Sequence, residues 1–140
     1  MFLNIDGSTS SRRISEQIGS PFVDALEVDR TRRRLAERGG GYEIIHDSPG
    51  LEVGVYVLVA PEPDHQNAHA DDELYVVLEG RGELTVEGET LALHEGQAAF
   101  VPAGSDHRFT GYEGLSVLVI FARQKEQTPV HERRQMEQPL

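Results

Sequence analysis

This chain predicts an all-β barrel or sandwich of about eight short strands, preceded by a short, partly helical N-terminal extension. Three observations carry the prediction. From Tyr42 onward, short runs rich in Val, Ile, Leu and Tyr alternate with turn-forming residues. No long helical pattern interrupts that region, which argues against a parallel sheet with crossover helices. At 140 residues the chain has the size of one ordinary domain.

The elements follow in order. Residues 1 to 20 are polar, with a loop-like run at Ser8–Ser11. The stretch from Pro21 to Arg38 holds several helix formers, and at least Asp29–Arg38 is expected to be helical. Gly39-Gly40-Gly41 then acts as a stop and hinge. The strand-like runs are Tyr42–His46, Glu52–Val59, Leu74–Leu78, Glu83–Val86, Thr90–Leu93, Ala98–Val101, His107–Thr110 and Leu115–Phe121. The turns between them include Ser48-Pro49-Gly50, Gly80-Arg81-Gly82, Glu95-Gly96 and Pro102-Ala103-Gly104, and Glu87-Gly88 reads as a tight hairpin. Gly80, Gly96 and Gly104 are expected to supply positive φ, and Pro102 to stiffen its turn. The chain thus divides into an extension (1–41), a β domain (42–123) and a polar tail (124–140) containing Pro129 and Pro139.

Composition removes several function classes. There is no cysteine, so disulfides, thiolate metal ligands and thiol chemistry are excluded. Thirteen basic residues face 24 acids, a formal charge of −11. Residues 1–40 carry a net +1, so the remainder carries −12 and would repel a phosphate backbone; nucleic acid is not an expected partner. The basic run Arg30, Arg32, Arg33, Arg34 reads as a solvated helix face. No secretory signal pattern and no membrane-length apolar stretch is seen, so a cytoplasmic protein is expected. There is no GxSxG and no phosphate loop, since Gly39–Gly41 lack a preceding strand.

Two segments about thirty residues apart concentrate the chemistry-bearing residues. In the first, His65, Asn67, His69, Asp71 and Glu73 share odd parity, so an extended segment would point all five into one cavity. Tyr75 and Val77 continue that parity. The first segment ends at Gly80; the second runs from Gly96 through Pro102-Ala103-Gly104-Ser105-Asp106-His107.

Together these segments resemble the two motifs of the cupin superfamily, G-x5-HxH-x3/4-E-x6-G and G-x5-PxG-x2-H-x3-N. The resemblance spans roughly residues 50 to 122. It implies the cupin double-stranded β-helix, a jelly-roll barrel, with one mononuclear metal site. His69 and Glu73 match the second histidine and the glutamate of the first motif, and His107 matches the histidine of the second. Two imidazoles and one carboxylate suit a divalent ion, with Fe(II) favoured and Mn, Ni, Co or Zn as alternatives. Neutral histidines are required, so occupancy should fall in mild acid.

The chain departs from the pattern at two places. Asn67 stands where the first motif has its first histidine, and Gly111 replaces the final Asn of the second. Asn67 can ligate through its amide oxygen. His65 can substitute if a bent loop carries its ring about 6–7 Å along the chain, and Gln66 can if the loop is irregular. Three ligands with open positions form a further workable site.

The remaining candidates read mostly as structure. His46, His94 and His131 are expected to be exposed or without a role. Tyr56, Phe100, Phe109 and Phe121 can line the cavity, but core packing is the expectation for each. Tyr75 is the expected catalytic side chain, a buried phenol able to donate a proton near the metal. Arg108 should point away from the site and Arg81 into solvent, which leaves few anchors for a strongly anionic substrate.

The resulting expectation is a metal-dependent cupin enzyme acting on a small molecule, most readily as a dioxygenase, with a metal-dependent isomerase or lyase as the alternative. A small-molecule-binding cupin without turnover, or a vestigial site, are the non-enzymatic readings. Cupins commonly dimerise through their sheets, so the resemblance also implies a homodimer.

Overall fold

The computed structural model describes residues 25–59, 63–64, 66 and 68–123. Among these, one helix, α1 (Val28–Glu37), precedes six strands: β1 (Gly41–Ser48), β2 (Leu51–Leu58), β3 (Asp72–Val86), β4 (Glu89–His94), β5 (Ala98–Val101) and β6 (His107–Ala122). All described pairings are antiparallel. The order is β1-β2-β6-β3-β4, and β5 also lies against β3. The all-β, jelly-roll expectation is met. The count of eight short strands is corrected to six, because two pairs of runs are continuous.

Gly80-Arg81-Gly82, expected to be a turn, lies inside β3. There the ladder with β6 slips between Val77 and Glu79, again before Arg81, and again before Glu83. Irregularities of this kind bend and twist a strand without ending it. Gly80 is required at the bend. Its φ is +80, and a Cβ there would collide with the Gly114 carbonyl on β6. The bend lets β3 serve two sets of neighbours: its first half pairs with β5 and the end of β6, its second with β4 and the start of β6. The Glu87-Gly88 hairpin forms as expected, with both residues at positive φ.

The two faces of the sheet have separate cores. On one face, Tyr75, Val77, Leu84, Leu93, Val101, Phe109, Leu115, Val117 and Val119 form the barrel interior. On the other, Val55 and Val57 pack with Leu35 of α1, which is wholly buried. Burying that leucine stabilises the contact by about 1.5–3 kcal/mol. The helix presents Thr31 and Leu35, four residues apart, to the sheet. It ends where the glycines begin: Gly40 N–H donates to Leu35 O at 2.9 Å, and Gly39 and Gly40 take φ of +93 and +108. The basic run covers the outer face of α1. Arg32 reaches Glu79 on β3 and Arg34 reaches Glu43 on β1. Such exposed pairs orient a helix more than they stabilise it.

No described helix is long and apolar enough to cross a membrane.

Candidate metal centre and its cavity

Register alone brings much of the site together. Across the sheet Glu52 stands opposite Phe121, and Phe121 opposite Glu73. In the next row of the same face, Gly54 stands opposite Val119, and Val119 opposite Tyr75. These side chains, with Tyr56 two residues further along β2, line a cavity of about 410 Å³. Gly54 contributes no side chain to it, and the ring of Tyr42 from β1 occupies the space a Cβ would take. Tyr42 and Tyr56 meet edge to face, with centroids 6.1 Å apart.

His107 arrives by a different route. It pairs with Val86, thirteen residues along β3 from Glu73. On a flat sheet that separation would be about 40 Å. Yet His107 Nε2 lies 3.1 Å from Glu73 Oε1. Closure of the bent sheet, driven by the slips between Val77 and Glu83, is what brings them together. The two motifs are also laced directly: Gly104 N–H donates to His69 O at 2.7 Å, and Ala103 N–H to Asp72 Oδ1 at 2.9 Å.

His69, Glu73 and His107 thus form one cluster, with one ligand atom from each lying within 4.8 Å of the others. His69 Nε2 is 4.0 Å from Glu73 Oε1. The His69 ring packs against Phe121 with centroids 4.9 Å apart. His107 Nδ1–H donates to Ser105 O at 2.9 Å. That hydrogen bond leaves Nε2 with its lone pair toward Glu73 whenever the ring is neutral. The Glu73 carboxylate at hydrogen-bonding distance raises the pKa of His107, and burial opposes it.

The donor atoms fit a divalent ion. Among the described residues, Glu73 Oε1 and His107 Nε2 are buried with no hydrogen-bond partner beyond each other, at a separation that would allow one bond between them. Buried polar atoms without partners are costly, and an ion between them would satisfy both. With bonds of about 2.1 Å, neighbouring ligands stand about 3.0–3.4 Å apart. The Glu73–His107 pair already meets this, and His69 needs a short inward shift.

The other candidates separate cleanly. Tyr75, 0% exposed, lines the cavity and packs edge-on against Phe109, 4.8 Å between centroids. Its hydroxyl donates to Gln66 Oε1 at 3.1 Å. Burial first, then the Glu73 carboxylate, push this phenol far above its ordinary value, so it stays protonated. Gln66 is not a spare ligand, since both ends of its amide are engaged, Nε2 donating to Asp64 Oδ2 at 2.6 Å. His65 and Asn67 lie outside the described residues. Tyr56 and Phe121 line the cavity, whereas Val77 and Phe109 belong to the core and Phe100 is 58% exposed. His46 is half-buried and bonded to Ser48, and His94 is exposed. Arg108 is exposed, and Arg81 pairs with Glu113 on the surface.

Parity succeeded for Glu73 and Tyr75 because they lie on β3. His69 and Asp71 also line the cavity, but so does Ala70 between them. The chain bends before Asp72 and does not run extended there.

Asp64 was not singled out from the sequence. It is buried and accepts three hydrogen bonds, from Tyr56 Oη at 2.7 Å, Gln66 Nε2 at 2.6 Å and Phe109 N–H at 2.6 Å. The available signal was its place directly after Pro63, where a loop aspartate often ties down free donors. Glu52 likewise carries no motif that marks it in the sequence. It accepts from Tyr42 Oη at 2.7 Å and pairs with Arg123 at 2.6 Å.

The family model described as "Cupin domain" matches residues 55–121, the span holding all three cluster residues. An uncharacterized protein of Streptomyces coelicolor is 37% identical over 71% of this chain and 96% of its own length. The chain belongs to the cupin family. Solved structures agree with the architecture. An RmlC-like cupin from Shewanella frigidimarina superposes with a TM-score of 0.55 at 21% identity, over 60% of this cupin and 76% of that chain. The TT1209 protein of Thermus thermophilus does so with a TM-score of 0.54 at 27% identity, over 64% of this cupin and 91% of that chain. Cupins often bind a metal, and this one carries a His-His-Glu cluster suited to it.

Proposed function

We propose that this cupin is a mononuclear metal-dependent enzyme acting on a small molecule, with dioxygenase-type oxidation as the leading reaction. The observation that supports it is the buried pair Glu73 Oε1 and His107 Nε2, which among the described residues have no hydrogen-bond partner beyond each other, with His69 Nε2 beside them at a cavity of about 410 Å³. His69, Glu73 and His107 would hold the ion. Two histidines with one carboxylate resemble the facial set of non-haem iron proteins, and a bound Fe(II) would supply oxygen activation at its open positions.

The chain's own residues do the rest. Ser105 O fixes the His107 tautomer. Phe121 and Val119 present an apolar wall that limits water near the cluster. Tyr75 holds its proton at the inner wall and positions one end of the ligand.

A non-enzymatic, small-molecule-binding role has its own support, because the Tyr75 proton is committed to Gln66 and is not free for transfer. A homodimer belongs to the same proposal: β1 is an edge strand with Ile44 exposed, and edges of this kind need covering.

Metal analysis by plasma mass spectrometry tests the proposal, on untagged protein beside the His69→Ala, His107→Ala double variant. Near-stoichiometric Fe, Mn, Ni, Co or Zn that the variant loses is the expected result. No metal after anaerobic loading with Fe(II) overturns it. Oxygen uptake by the Fe(II) form separates turnover from binding.

A further inference from the structure

The tyrosine hydroxyls of the cavity wall share one hydrogen-bonding polarity. Three tyrosine hydroxyls line it, and each has committed its only proton elsewhere. Tyr42 donates to Glu52 Oε2 and Tyr56 to Asp64 Oδ1, each at 2.7 Å. Carboxylates have no proton to return, so both directions are fixed. Tyr75 donates to Gln66 Oε1, and that direction depends on how the amide is turned. Asp64 decides it. Gln66 Nε2 donates to Asp64 Oδ2, so the amide oxygen must face Tyr75. One buried carboxylate therefore orients Tyr56 directly and Tyr75 through Gln66. What each hydroxyl still offers a ligand is a lone pair.

The charges agree with the hydroxyls. Glu52 and Asp71 line the same cavity, and among the described residues no lysine or arginine does. Arg123 occupies Glu52 Oε1 from outside the lining. Asp71, half-exposed, makes no hydrogen bond or ion pair among the described residues. The perpendicular rings of Tyr42 and Tyr56 add π-faces that attract cations. Away from the His-Glu-His cluster, a carboxylate or phosphate entering here would meet lone pairs and negative charge.

We infer that this cavity selects a small organic cation that donates hydrogen bonds, a protonated amine. The inference rests on the small-molecule reading of this site, but not on its metal or its reaction.

Calorimetric titration of the full chain, as isolated and after chelation, tests it with benzylammonium, benzyl alcohol and benzoate. These probes share a ring and differ in charge and donors. In the chelated protein benzylammonium should bind at least about tenfold more tightly than the other two, the equivalent of one hydrogen bond to a charged group. Benzyltrimethylammonium, with the charge but no N–H, should fall between benzylammonium and the alcohol. Asp71→Asn should weaken benzylammonium by about tenfold and leave benzyl alcohol unchanged. That variant removes a charge from a half-exposed side chain that makes no hydrogen bond among the described residues, and thermal unfolding of the variant checks that the fold is kept. Benzoate binding as tightly as benzylammonium to the chelated protein, equal affinities for all probes, or no benzylammonium binding at millimolar concentration would each overturn the inference. Failure of the protein to hold a metal would sink the metalloenzyme proposal and leave this preference standing.

Discussion

Glu73 Oε1 and His107 Nε2 stand 3.1 Å apart although their strands pair them with residues at opposite ends of a ladder. Neither atom completes a hydrogen bond. Glu73→Gln keeps the volume and removes the charge. Metal-free stability should therefore change by less than about 1 kcal/mol, since a buried charge is removed along with its attraction to His107. The metal-dependent gain should vanish. In the native protein that gain should be about 2.7 kcal/mol when metal is present at a hundred times its dissociation constant. Thermal unfolding with and without Zn(II) measures both.

Asp64 satisfies three donors at once, one of them the Phe109 backbone N–H. Asp64→Ala strands all three in or near the interior, and a loss of about 3 kcal/mol is expected in urea unfolding. A loss under about 1 kcal/mol would mean that water replaces the carboxylate and that it does not hold the loop.

The tyrosines give a pH test. Burial first, then the Glu52 carboxylate for Tyr42 and the Asp64 carboxylate for Tyr56, raise both phenols above the ordinary 10.0. Tyr75 is raised further, by burial and then by Glu73. A folded-state pKa above the unfolded value stabilises the fold below the unfolded pKa, and that contribution fades as pH climbs toward the folded one. Stability should thus decline as pH passes 10.0. Ultraviolet absorbance should show these three tyrosines ionising only with unfolding. Full ionisation of all four in the folded protein near that pH would contradict it.

Gly54 and Tyr42 occupy each other's space. Gly54→Ala should cost about 1–3 kcal/mol by displacing the ring. Adding Tyr42→Ala should recover about 1 kcal/mol or more, because the clash goes with the ring. Additive losses in denaturant titrations would show that the two residues do not interact.

Much of this was legible in the sequence, for identifiable reasons. Glu73 and Tyr75 were readable because strand parity is local. His69 and His107 were readable only through motif spacing, since the closure that joins them is produced by slips at a Gly-Arg-Gly sequence that also reads as a turn. Asp64 and Glu52 each tie a nearby tyrosine to a distant partner, Phe109 and Arg123, which lie 45 and 71 residues away. No local pattern carries such pairings.

Tyr42 belongs to the edge strand β1, whereas Glu73 and Phe121 belong to central strands held on both sides. The rim and the floor of the cavity are therefore mechanically separate parts. Substitutions on β1 can reshape what enters without disturbing the spacing of the His-Glu-His cluster, while changes on β3 or β6 reach it at once. A lineage built on this scaffold could exchange its substrates by altering one border strand and inherit the inner chemistry unchanged.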